Sequence, residues 1–192
     1  MRSRSHPLRL FVAIYPPPLV AERLLSHAAA ALISVPSHRI VAADHIHLTL
    51  AFIGETTARD LRSVTESVER ACAGIAPFAL TPLRLCTVPL PPDDAPARLL
   101  AAFTDAPSPV MELHKRLAAR LTKDKRKSDR FAPHLTLRRF PQHATPGESR
   151  AGRIDVPIDE TPFIVSEVAL VASVLSHQGA RHERVHTIAL GD

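Results

Sequence analysis

The chain has 192 residues, 45% of them apolar and 22% charged, which is enough apolar material for a buried core and too ordinary a charge content for a disordered chain. A formal net charge of +5 and 11 histidines suit an anionic substrate or a nucleic acid, although many basic proteins bind neither. The two cysteines, Cys72 and Cys86, show no CxxC or metal-ligand spacing and read as inert thiols in a reducing compartment, not as a disulfide framework.

The run Arg9-Leu10-Phe11-Val12-Ala13-Ile14 is compact, apolar and stopped by Pro16-Pro17-Pro18, which predicts a buried strand. It is too short for a signal peptide, and the Ala-rich stretch at 24–35 contains His27 and is too short to cross a membrane; a soluble cytoplasmic protein is expected. Pro18 suits the first turn of a helix reaching about residue 32, with Leu24, Leu25, Ala28 and Leu32 on one face and Pro36 beyond its end. Ile40-Val41 predicts a short strand leading into a longer one at 45–53, closed by Gly54. Thr57 with Asp60 resembles a helix start, and Leu61, Val64, Val68 and Ala71 continue at helical spacing to a stop at Gly74. Residues 78–88 and 98–103 read as strands around a proline-rich turn at 89–96. Ser108-Pro109 opens a further amphipathic helix carried by Val110, Leu113, Leu117 and Leu121. A strand at 131–140, a loop at 141–152, and two long strands at 163–174 and 181–190 joined through His177-Gln178-Gly179 complete the chain.

Two of these strands contain the same four residues. His47-Leu48-Thr49-Leu50 and His134-Leu135-Thr136-Leu137 begin 87 residues apart, close to half the chain. Strand side chains alternate between faces, so each His and Thr share one face and both leucines take the other. Helices interleave with strands in both halves, which predicts an α+β fold: one domain over 1–192, duplicated in pattern, whose two antiparallel sheets meet at a cleft.

Two histidines facing one space supply a base and an acid without a metal, because an unperturbed imidazole titrates near pH ~6.5 and exists in both forms around neutrality. Thr49 and Thr136 can donate to the non-bridging oxygens of a phosphate held between them. Either motif alone is an ordinary strand sequence; two in the same register at half-chain spacing are not. Metal binding is the competing chemistry, since His45 and His47 share a face, but no HExxH, cysteine pair or acidic cluster accompanies them. Arg138 and Arg139 follow the second motif. Simple alternation puts Arg138 on the His134/Thr136 face and Arg139 on the other unless a bulge re-aims it, and either guanidinium can hold a phosphate or form a solvated strand end. Phe52 and Phe131 flank the motifs and can stack on a base or pack in the core. The basic run 123–127 holds every lysine but Lys115 and reads as a solvated loop that can also steer a polynucleotide. His177, His182 and His186 read as surface residues.

With these residues in view, the chain resembles the two-histidine (2H) phosphoesterase superfamily, and within it the RNA 2′,3′-cyclic phosphodiesterases, also called 2′-5′ RNA ligases. The resemblance rests on the opening strand, on the segment from His47 through Ala51-Phe52-Ile53-Gly54, and on Phe131-Ala132-Pro133 leading into His134 through Arg139. It implies a bilobal fold with a V-shaped cleft and helices outside, and metal-independent, cofactor-free hydrolysis of a 2′,3′-cyclic phosphate to a 2′-phosphate. It further implies His47 as general acid, His134 as general base, Thr49 and Thr136 on the phosphate, and Arg139 assisting, with Arg138, Phe52 and Arg130 as additional substrate-binding candidates. The chain departs from the family in carrying His182 where a tyrosine is expected and in lacking a late tryptophan, which bears on nucleotide recognition and not on the chemistry. The implied partners are RNA with 2′,3′-cyclic phosphate ends or small cyclic nucleotides such as ADP-ribose cyclic phosphate, with no membrane and no obligate protein partner for a monomer. A non-catalytic RNA-binding module is the alternative of a different class.

Overall fold

The computed structural model of the protein describes residues 8–33, 38–90, 93, 95–121, 131–141, 152–176 and 179–191. The opening apolar run forms β1 (Leu8–Ile14), and Pro18 starts α1 (Pro18–Ala31), where its missing N–H costs no hydrogen bond. A two-residue strand, β2 (Arg39–Ile40), and a one-turn helix (Ala43–His45) lead into β3 (Leu48–Thr56). There follow α2 (Leu61–Cys72), β4 (Phe78–Leu80), β5 (Pro82–Val88), β6 (Leu99–Thr104), α3 (Ser108–Leu121) and β7 (His134–Arg139). The last strands are β8 (Asp155–Pro157), β9 (Phe163–Val165), β10 (Glu167–Ser176) and β11 (Gly179–Ala189).

Two expected strands are each broken after their first three residues. At Thr81 the backbone N–H bonds the Asp105 carboxylate (2.8 Å) and the Asp105 N–H returns to the Thr81 carbonyl (2.9 Å), so the chain leaves one sheet for another. Ser166, whose carbonyl accepts the Leu190 N–H at 2.8 Å, divides β9 from β10 in the same manner. β4 and β9 pair with each other in a small second sheet, and β8, which the sequence did not signal, covers the edge strand β5.

The remaining nine strands run antiparallel in the order β11-β10-β1-β3-β7-β6-β5-β8, with β2 beside β7. The path is weakest at its centre, where β3 and β7 pair only at Leu48 and Leu135. Four strands on each side of that junction make the two halves, and each motif strand is the innermost strand of its half. Leu48, Leu50, Leu135 and Leu137 are fully buried on one face, where α3 packs on β3 and α1 on β7. Each buried leucine contributes roughly 2 kcal/mol. A one-residue slip would move all of them to the open face, so their burial also determines which way the motif histidines point.

Alternation fails at the same place in both motif strands. In β3, Val12 pairs with Ala51 and Ala13 with Thr49, leaving Leu50 unopposed; in β7, Leu100 pairs with Arg138 and Ala101 with Thr136, leaving Leu137 unopposed. These are β-bulges, which re-aim every later side chain. Leu50 and Ala51 are 1% and 6% exposed, and Leu137 and Arg138 are 0% and 3% exposed, so both residues of each pair face the helices. Arg138 is therefore not on the His134/Thr136 face, contrary to simple alternation. Its guanidinium lies beneath α1, donating to the Leu25 carbonyl (3.2 Å) and the Leu137 carbonyl (3.1 Å). The bulged Leu50 carbonyl accepts the Nδ1–H of His114 from α3 at 2.7 Å. Gly54 does not close β3 but lies inside it at φ +88, at a second register shift opposite Leu10, where a positive φ is open to glycine. No helix among the described residues is long and apolar enough to cross a membrane.

Candidate active site

The Leu48–Leu135 pairing determines the arrangement of the four motif residues. Carried one residue either way in an antiparallel register, it sets His47 across from Thr136 and Thr49 across from His134. The two imidazoles then occupy one diagonal of a four-cornered patch and the two hydroxyls the other. Diagonal neighbours on paired strands stand about 7–8 Å apart, which leaves room for one tetrahedral phosphate between the rings. All four residues are half-buried, open on one side and backed by the leucine core.

Both rings are held by the same local bond. His47 Nδ1 donates to the His45 carbonyl (2.7 Å), and His134 Nδ1 donates to the Ala132 carbonyl (2.8 Å), in each case two residues back along the chain. A carbonyl only accepts, so the proton sits on Nδ1 in each ring and Nε2 is the nitrogen left for a substrate. The one-turn helix before Ile46 and the extended residue forced by Pro133 bring these carbonyls into position.

The surroundings of the two histidines differ. His47 is packed against Phe11 (5.0 Å between ring centroids), Tyr15 (5.6 Å) and the edge of His182 (5.2 Å). Burial pushes its pKa down to about 4; the His45 carbonyl opposes this, while His182, Arg139 and His45 add to it. His134 instead stacks on Phe103 at 5.3 Å. A ring pushed that low is neutral at physiological pH, and an anion beside it would supply the counter-charge that favours the protonated form.

The bulges bring two further residues round to this face at equivalent positions, five after each histidine. Phe52 is 71% exposed with its ring 6.4 Å from that of Phe11. Arg139 lies close enough to His47 and His182 to lower the pKa of both, and its own is lowered by burial and then by Arg39, its direct partner in the β2–β7 pairing. Phe131 instead stacks on His114 of α3 at 3.9 Å and 6°, a packing contact. Arg130, the basic run 123–127 and His177 lie outside the described residues. His182, read from the sequence as a surface residue, comes from β11 to touch Phe11 (5.1 Å), His45 (5.3 Å) and His47. The one sequence signal for it was its place where the family resemblance expects tyrosine. Arg184 of the same strand lies over the Tyr15 ring at 4.1 Å. Among the described residues no group of three or more His, Cys, Asp or Glu is arranged to hold a metal ion.

The family model described as the 2′-5′ RNA ligase superfamily matches residues 16–175. No curated protein sequence matches the chain. Among solved structures, the fold is similar to TT0787 of Thermus thermophilus (TM-score 0.76, 24% identity, 95% of this chain and 97% of that one). It is also similar to E. coli LigT complexed with 3′-AMP (TM-score 0.71, 28% identity, 98% of this chain and 100% of that one). A structure named only as a phosphoesterase aligns over 97% of this chain and 99% of its own at 26% identity, with a TM-score of 0.70.

Proposed function

Since this chain belongs to the 2′-5′ RNA ligase superfamily, a family of phosphoesterase- and ligase-type enzymes, we propose that it hydrolyses 2′,3′-cyclic phosphates at RNA ends to 2′-phosphomonoesters. The observation that carries the reading is the matched pair of imidazoles, each with Nδ1 tied to a carbonyl and Nε2 open, diagonal to one another across two hydroxyls. In-line hydrolysis needs these parts and no cofactor. Similarity to LigT, which has been crystallised with phosphate and with 3′-AMP, supports a nucleotide phosphate as the ligand.

In the proposed reaction Nε2 of His134 takes a proton from water as the water oxygen bonds to phosphorus. The bond from phosphorus to O3′ breaks, and Nε2–H of His47 delivers its proton to O3′. The products are a 2′-phosphate and a free 3′-hydroxyl, with His134 left protonated and His47 neutral until solvent restores them. Thr49 and Thr136 donate to the non-bridging oxygens, where charge grows in the transition state, and Arg139 adds a cation beside them. With an RNA 5′-hydroxyl in place of water, the same step with the roles unchanged forms a 2′-5′ linkage, and the reverse step, in which the 3′-hydroxyl expels the 5′-hydroxyl, exchanges them. We read the two halves as lobes of one domain over 1–192, acting as a monomer.

The deciding experiment measures turnover of a 2′,3′-cyclic mononucleotide and of an RNA oligomer with a cyclic-phosphate end, with 31P NMR identifying the product. His47→Gln and His134→Gln should each lower kcat by about 10²–10⁴-fold while circular dichroism stays native. Retained turnover in either variant, or activity that EDTA removes and a metal restores, overturns the two-histidine mechanism. Strong preference for the oligomer identifies an RNA enzyme; equal rates identify a small-nucleotide enzyme.

A further inference from the structure

We propose that Arg39 forms a second anion subsite beside Arg139, which takes a phosphate other than the one undergoing reaction, with Arg139 standing between the two anions. The proposal deepens the phosphodiesterase reading and rests on it for the position of the reacting phosphate. Arg39 and Arg139 are direct partners in the antiparallel β2–β7 pairing, so their side chains leave the sheet on the same face. That is the motif face, because the bulge at Leu137 turns Arg139 towards His47.

Like charges placed directly opposite on paired strands are unfavourable, and here one guanidinium lowers the pKa of the other on top of burial. Several arginines elsewhere have carboxylate partners: Arg23 has Glu160, Arg84 has Asp155, Arg116 has Glu112 and Arg184 has Glu167. Among the described residues no carboxylate pairs with Arg39 or Arg139. An anion between them would relieve the repulsion and accept two planar, forked donors, the geometry that suits phosphate.

The subsite is placed to take a second phosphate of the same substrate. Arg139 is three residues beyond Thr136, roughly 7–10 Å along the strand, and both side chains are long enough to reach back towards the motif patch. The ligand chemistry is a phosphate mono- or diester one nucleoside away from the cyclic phosphate. It has two sources: the internal diester of an oligonucleotide, or the 5′-phosphate of a small nucleotide.

The test compares a nucleoside 2′,3′-cyclic phosphate with two extended substrates, its 5′-phosphorylated form and a dinucleotide ending in the cyclic phosphate. The readout is the ratio of kcat/KM for each extended substrate to that for the simple one. Arg39→Gln should lower a ratio about tenfold, the loss of one charge-assisted contact, and Arg39→Lys should recover part of it. The fall should lie in KM, and the salt dependence of the extended substrate should become shallower by about one ion. A loss confined to the dinucleotide assigns the subsite to an oligonucleotide backbone, and one confined to the 5′-phosphorylated nucleotide assigns it to a small substrate. Unchanged ratios for both overturn the proposal. Calorimetric binding of adenosine 3′,5′-bisphosphate against 3′-AMP reads the subsite without turnover. If the wild-type protein cleaves no cyclic phosphate yet Arg39→Gln abolishes its preference for the bisphosphate, the phosphodiesterase reading fails and the subsite stands; if that preference is absent or survives the substitution, the subsite fails. Arg39 is exposed on a two-residue edge strand, so thermal melts of both variants should match the parent.

Discussion

Filling the site with inorganic phosphate should raise the pKa of His47 from about 4 into the neutral range. A negative charge stabilises the imidazolium, so the shift is upward. One unit charge about 4 Å from the ring, at an effective dielectric near 20, is worth about 4 kcal/mol. At about 1.4 kcal/mol per pKa unit this is a rise of about three units, to a value near 7. On this reasoning the acid role proposed for His47 depends on the bound anion. NMR titration of the His47 ring carbon-bound protons, with and without saturating phosphate, measures both values directly. Calorimetry near pH 6 in two buffers of different ionisation enthalpy should show uptake of a proton on binding. Should His47 titrate near 6.5 in the free protein, the burial argument is wrong. Should phosphate bind and leave the ring at about 4, His47 stays a neutral base throughout, and the acid and base roles proposed for the two histidines exchange.

Four other expectations follow from the same site. Arg138→Met should keep kcat/KM within about threefold and leave the melting temperature equal or higher, because among the described residues the buried guanidinium has no carboxylate and its Nε no partner. Arg139→Gln should lower kcat/KM by about 10–100-fold; equal effects of the two substitutions would contradict the bulge. The folded-state pKa of His47 lies below its unfolded value of 6.5, so its contribution to stability is complete above about pH 6.5 and is lost as pH falls towards 4. Urea unfolding at pH 7 and 4.5 should show the wild-type protein losing roughly 2.5 kcal/mol more than His47→Gln, and identical losses would refute the buried neutral ring. Thr49→Ala and Thr136→Ala should each lower kcat about 10–100-fold with little change in KM, as steady-state kinetics on a cyclic mononucleotide will show.

Alternation in the repeated His-Leu-Thr-Leu was enough to orient the motif residues, because four leucines on one face can be buried only if the histidines and threonines take the other. Half-chain spacing pointed to a pattern duplicated in two halves, and the two copies lie on strands that pair with each other at Leu48 and Leu135. The prolines before α1 and in the first turn of α3 marked those helices for an equally local reason.

What alternation could not supply is where it stops. The bulges at Leu50 and Leu137 arise from how β1 and β6 pair with the motif strands, and they exchange Arg139 for Arg138 and bring Phe52 out of the core. Thr81 breaks a strand because Asp105, 24 residues away, bonds its N–H. His182 reaches His47 from a strand 135 residues downstream, and Arg39 meets Arg139 only through a two-residue pairing. Side-chain pattern along the chain records which face is apolar. Which residue stands opposite which is decided by backbone hydrogen bonds between distant segments, and it is those bonds that assemble the charges around the reacting centre.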